Sequence, residues 1–146
     1  VIRRILVALD GSKRAEGVLR AAAEIADRFD AKLYPFRAIL VPPEFPAGAV
    51  SSHADPLLAR MTEEAVAAML ELTARIEGTV VDAPYVKVGQ SWRMIIEASE
   101  ELDVDLIVIG SHGYHGVDRI LGTTAGKVAN VAKRSVLVVH EREQAP

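Results

Sequence analysis

The chain has 146 residues, 17 basic and 20 acidic side chains and a formal charge of -3, with no concentrated run of lysine or arginine. That balance argues against nucleic acid as a partner. The absence of cysteine excludes disulfides and sulfur-ligated zinc, and no apolar stretch approaches the roughly 20 residues that span a bilayer.

One cytoplasmic domain over residues 1–146, with no membrane association, is therefore expected. At this size about 68–70% of the unfolded surface can be buried. Half of the residues are apolar but only 5% are aromatic, so the core must rest on alanine, valine, leucine and isoleucine.

Ile5 to Leu9 is a continuous apolar run ended by Asp10-Gly11-Ser12, the pattern of a buried strand and a turn. From Lys13 the period becomes helical, with Val18, Ala22, Ile25 and Phe29 on one face and Ser12 or Asp10 placed to cap the helix. A second strand is expected over Lys32 to Val41. Its Pro35 cannot donate to a ladder and calls for a bulge or an unpaired side.

The proline-bearing stretch 42–56 reads as a loop and a candidate flap. A helix follows from Leu57 to Ile76 with Leu57, Met61, Ala65, Ala68, Leu72 and Ile76 in phase, ended by Gly78. Thr79 to Val88 is a third strand interrupted by Pro84. Gly89-Gln90-Ser91 leads into a short helix bearing Trp92, Ile95, Ile96, Ser99 and Leu102.

Leu106 to Ile109 is the clearest strand, apolar throughout and so buried on both faces. A helix capped by Thr123 or Thr124 and carrying Val128, Val131 and Ala132 precedes a last strand from Ser135 to His140. The alternation predicts a three-layer α/β sandwich around a mostly parallel five-stranded sheet. Ligands of such folds sit outside the carboxyl ends of the strands, where the strand order reverses.

The segment after the first strand lacks the GxGxxG spacing of a dinucleotide site, and no GxxxxGK[ST] run occurs. The segment from Gly110 to Thr124 is the remaining candidate. Its closely spaced glycines let backbone amides approach an anion. The helix that begins near Thr124 adds free amides and a positive dipole end, and Thr123 and Thr124 add hydroxyls.

Val7-Ala8-Leu9-Asp10-Gly11-Ser12, Val88-Gly89, Asp105 to Gly113, Gly122-Thr123 and Ser135 to Val139 together resemble the universal stress protein family. The resemblance covers essentially the whole chain. It implies a Rossmann-like fold of the adenine nucleotide alpha hydrolase type, strand order 3-2-1-4-5, and a homodimer joined through Val136 to Val139. In the ATP-binding branch the phosphate loop is G-x2-G-x9-G-[ST]; here Gly110, Gly113, Gly122 and Thr123 match, but eight residues, not nine, separate Gly113 from Gly122.

The resemblance further implies that Asp10 approaches the nucleoside, that Ala38 faces adenine, and that Val88 and Gly89 form the end of the third strand beside the pocket. Ala8 and Leu9 accompany Asp10 at the end of the first strand, and the Thr124 amide reaches phosphate. His112 and Arg119 complete the set on chemical grounds, as a loop hydrogen-bonding group and a phosphate counter-charge. The implied ligand is an adenine nucleotide, ATP with Mg2+ first and AMP or ADP beside it.

Structural roles stand beside these. Asp10 can serve the turn alone, Gly110 and Gly122 can relieve tight corners, and Trp92 can be a packing residue. His112 and His115 lack an acidic or sulfur partner at metal-ligand spacing. No nucleophile elbow and no placed carboxylate pair points to catalysis. Three classes stay open: a nucleotide-binding regulatory protein, a nucleotide-free dimeric interaction module, and a weak ATP hydrolase.

Overall fold

The computed structural model describes residues 1–40, 55–111 and 122–141. Within them five strands, β1 (Arg4–Ala8), β2 (Lys32–Ile39), β3 (Tyr85–Val88), β4 (Leu106–Gly110) and β5 (Ser135–Val139), alternate with four helices. These are α1 (Ala15–Phe29), α2 (Pro56–Thr73), α3 (Ser91–Glu101) and α4 (Thr123–Val131). The strands form one sheet in the order β3-β2-β1-β4-β5, and each neighbouring pair is parallel.

Two apolar clusters make the layers. On one face Ile5, Val7, Leu33 and Val108 pack under α1 and α2, through Val18, Leu19, Ala22, Ala26 and Met69. On the other, Leu6, Phe36, Ile107 and Ile109 pack under α3 and α4, through Ile95, Ala98, Ala125 and Val128. β4 is buried along its whole length, as its unbroken apolar run requires. Each fully buried aliphatic side chain contributes about 1.5–3 kcal/mol relative to exposure.

Pro35 occupies the interior strand β2, where a missing donor would ordinarily cost a ladder bond. The parity of the bonds explains the tolerance. Leu33 and Ile39 bond toward β3, while Lys32 and Phe36 bond toward β1, so the Pro35 nitrogen faces β3. Continuous pairing with β3 begins only at Phe36 opposite Tyr85, beyond a single bridge between Leu33 and Val81. The proline therefore falls in a gap, the unpaired side that its presence demanded, and Pro84 correspondingly shortens β3 to its last four residues.

Other local expectations are corrected. The α1 helix begins after Arg14 with no side-chain cap. Ser12 lies upstream of that position: its amide and hydroxyl donate to Asp10 Oδ1 at 2.9 and 2.5 Å, closing an Asx turn, while its Oγ accepts from the Arg14 amide at 3.3 Å at the entry to the helix. Phe29 is exposed, and the buried stripe of α1 runs through Ala15, Val18, Leu19, Ala22 and Ala26.

In α2, Asp55 caps the helix by accepting from the amides of Leu57 and Leu58, with Pro56 in the first turn. Its buried residues are Leu58, Ala65 and Met69, while Leu57 is exposed. The helix ends at Thr73, upstream of Gly78. Gly122, not a threonine, occupies the cap position of α4. Residues 42–54 of the expected flap lie outside the described residues.

Candidate functional site

The chain leaves β1 for α1 on one face and leaves β4 for α4 on the other, so the carboxyl ends of these adjacent strands part. An open cavity of about 310 Å³ lies there, at the lower end of the range for small-ligand sites, roughly 300–1,000 Å³. Ala8, Leu9 and Asp10 at the end of β1 and Ile109 and Gly110 at the end of β4 line its middle. Phe36 and Ala38 from β2, with Ser91 and Ile95 from α3, line one end, and Gly122 to Ala125 line the other.

The two ends differ in chemistry. At the α4 end, the first intrahelical bond is donated by Gly126 to the Gly122 carbonyl at 2.9 Å, so helical geometry leaves the amides of Thr123, Thr124 and Ala125 without an intrahelical acceptor. Those amides, the helix dipole and two threonine hydroxyls make that end suited to an anion. At the β2 end, Phe36, Ala38 and Ile95 form an apolar wall suited to a flat ring. Asp10 stands between, with Oδ1 held by Ser12.

Beyond the apolar wall lies a charged cluster. Lys87, in register with Ala38, reaches α3 and pairs with Glu97 at 2.9 Å and Glu101 at 2.5 Å. Tyr85 donates to the other oxygen of Glu101 at 2.6 Å and packs its ring against Phe36. Burial acts most strongly on Lys87 and lowers its pKa, yet the hydrogen bonds to Glu101 and Glu97 together outweigh it and the net shift is upward. The same bonds, from Lys87 first and then Tyr85, hold the Glu101 carboxyl low, and the Glu101 contact raises the Tyr85 hydroxyl.

Residues 2–140 match the sequence model of the Universal stress protein family. The chain belongs to the universal stress protein family. Universal stress protein A homolog 1 of Coxiella burnetii is 34% identical to it over 142 residues, 97% of this chain and 98% of the relative. A universal stress protein in complex with cAMP superposes with a TM-score of 0.68 at 24% identity, covering 95% of this chain and 97% of the other. The Archaeoglobus fulgidus universal stress protein in complex with dAMP gives 0.65 at 24%, covering 93% and 96%. At that identity the two structures attest the universal stress protein fold alone.

Of the positions expected from the sequence, Ala8, Leu9, Asp10, Ala38, Gly110, Gly122, Thr123 and Thr124 converge on the cavity. Val88 is not among its lining residues; it lies on the outer strand β3, paired with Ile39. Gly89 is not among them either. Its φ is +154°, and a Cβ there would meet Cγ and Sδ of Met94 at 3.0 Å, so the glycine admits that side chain. His112, Gly113 and Arg119 lie outside the described residues.

Phe36, Ser91, Ile95, Ile109 and Ala125 line the cavity without having been singled out. Phe36 was within reach of sequence reasoning, since period-two alternation puts it on the same sheet face as Ala38. Ser91 and Ile95 carry no local signal, because only the crossover of α3 brings them over β2.

Trp92 was read as a packing residue, and the ring is held between Arg93 and Lys127, 5.2 and 5.1 Å from its centroid. Among the described residues no group of three or more His, Asp or Glu is arranged to hold a metal ion. No described helix is long and apolar enough to cross a membrane.

Proposed function

We propose that this universal stress protein is a regulatory protein that binds an adenine nucleotide, ATP with magnesium in its full form, with AMP and ADP as related ligands. The observation that carries the reading is one cavity that joins an apolar wall, Phe36, Ala38 and Ile95, to the free amides and hydroxyls at the start of α4. A base would lie against Phe36 and Ala38, the ribose beside Asp10, and the phosphates at Gly110, Gly122, Thr123 and Thr124.

Gly113, His112 and Arg119 belong to the same proposal on their sequence positions. Two family members described in complex with cAMP and dAMP support the ligand class. Magnesium would be carried by phosphate oxygens and water, with Asp10 the one carboxylate among the described residues that line the cavity.

A homodimer through β5 completes the proposal. β5 is an outer strand bearing Val136, Leu137, Val138 and Val139, and Leu137 is 37% exposed. Nucleotide would act on the dimer only through a difference in affinity between its conformations.

Isothermal titration with ATP, ADP and AMP, with and without magnesium, tests the reading. Saturable heat is expected, reduced at least about tenfold in affinity by Thr123→Val, which removes a hydroxyl donor to a charged group. Absence of saturable heat with all three nucleotides overturns it. Affinity unchanged in the double variant Gly113→Val with Gly122→Val overturns the placement of the phosphates.

A further inference from the structure

Among the described residues, the part of the cavity lined by β2 and α3 contains one hydroxyl side chain. Ser91 is the first residue of α3, and it lines the cavity beside Ile95 and opposite Phe36 and Ala38. Its hydroxyl makes no hydrogen bond to another described residue. The cap position of α3 is Gln90, which places no side-chain hydrogen bond on the helix, so Ser91 is not occupied as a cap.

The first intrahelical bond of α3 runs from the Met94 amide to the Gln90 carbonyl at 3.0 Å. Helical geometry thus leaves the amides of Ser91, Trp92 and Arg93 without an intrahelical acceptor. A second helix start, carrying a hydroxyl, therefore borders the cavity on its β2 side, where α3 packs against both β2 and α4.

The group that satisfies both features is a flat ring, apolar on its faces and bearing hydrogen-bond acceptors on its edge. A pocket that is apolar apart from one placed polar group discriminates by that group. We propose that Ser91 is a specificity-determining residue of the site, donating its hydroxyl hydrogen to a ring nitrogen of the purine. It would thereby contribute to recognition of the base and not of the phosphate. This rests on the nucleotide reading above, with Thr123 and Thr124 assigned to the phosphate end.

Ser91→Ala isolates the role, because alanine is the best helix former and the Gln90 cap is untouched. The variant and the parent chain are titrated calorimetrically with AMP and with ribose 5-phosphate, which carries the same sugar and phosphate but no base. A neutral hydrogen bond of ordinary strength predicts a loss of about 3- to 10-fold in AMP affinity. Ribose 5-phosphate binding should be unchanged, and so should the thermal midpoint of the ligand-free chain.

Unchanged AMP affinity overturns the role of Ser91 while leaving the nucleotide site standing. Equal losses for AMP and ribose 5-phosphate, or a lowered midpoint, also overturn it, because the residue would then act on the phosphate end or on the fold. Failure of the parent chain to bind AMP overturns the role of Ser91, and failure to bind ATP and ADP as well overturns the nucleotide reading with it.

Discussion

Met94 closes directly on Gly89, leaving only 3.0 Å between its Cγ and Sδ and the position a Cβ would take. The glycine sits at φ +154°, which side-chain-bearing residues rarely adopt. Its amide also donates to the Ile39 carbonyl at 2.8 Å, tying the end of β3 to β2. Gly89→Ala is therefore expected to destabilise the fold by about 1–3 kcal/mol, measured by urea unfolding.

Gly11→Ala provides the contrast. The nearest atom to a Cβ there is Arg37 Nη2 at 2.9 Å, the far end of a flexible side chain that can swing away. A change within about 0.5 kcal/mol is expected.

Lys87→Met removes the cation between Glu97 and Glu101 and leaves two carboxylates facing each other across one turn of α3. The Lys87 side chain is only 16% exposed, whereas its partners are half open to water, so the cost lies between that of surface and buried pairs, about 1–2 kcal/mol. The net shift of Lys87 is upward, so its contribution is complete below the unfolded value near pH 10.4 and is lost as pH rises through the folded one. Thermal melts from pH 7 to 11 should show the parent chain losing its advantage over the variant only at the alkaline end.

Asp105 gives the acid counterpart. Its Oδ2 accepts from the amides of Arg3 and Arg4, each at 2.9 Å, and the bond from Arg3 is the main cause that holds its pKa below the usual carboxylate range, against a smaller opposing effect of burial. A lowered carboxylate stabilises the fold above its unfolded value near pH 4, and that contribution disappears as pH falls through the lower folded value. Asp105→Asn should depress the melting temperature at pH 7, and the difference from the parent should shrink toward pH 2.

Leu137→Glu tests the assembly. A charge on the exposed face of β5 should convert a homodimer to a monomer without changing the circular dichroism spectrum, as read by sedimentation velocity. A sedimentation coefficient independent of this substitution places any dimer contact elsewhere.

The fold was legible because its signals are local and strong. Leu106 to Ile109 could only be a doubly buried strand, and the alternation of strand and helix runs left one layer architecture. Helix phase was less so: Leu57 and Leu58 are equally apolar, and only the docking of α2 on β2 and β3 decides that Leu58 is buried. Caps followed the same rule, since Ser12 is a good cap by type but divides its hydroxyl between Asp10 and the Arg14 amide. The site divided along this line. Asp10, Gly122 and Thr123 announce themselves in short motifs and Phe36 follows from its alternation with Ala38, whereas Ser91 and Ile95 reach the cavity only through tertiary placement.

The order β3-β2-β1-β4-β5 has a kinetic consequence. β1 pairs on one side with β2 but on the other with β4, and the Arg4 to Asp105 bond that anchors that junction spans 101 positions of the chain. During synthesis one edge of this largely apolar strand waits until β4 has emerged, long after β2 can cover the other. Closing so long a loop is entropically costly and slow. The cavity lies at that late-formed seam, so competence to bind should appear late in folding, and a ligand bound there would lock a joint that is slow to close.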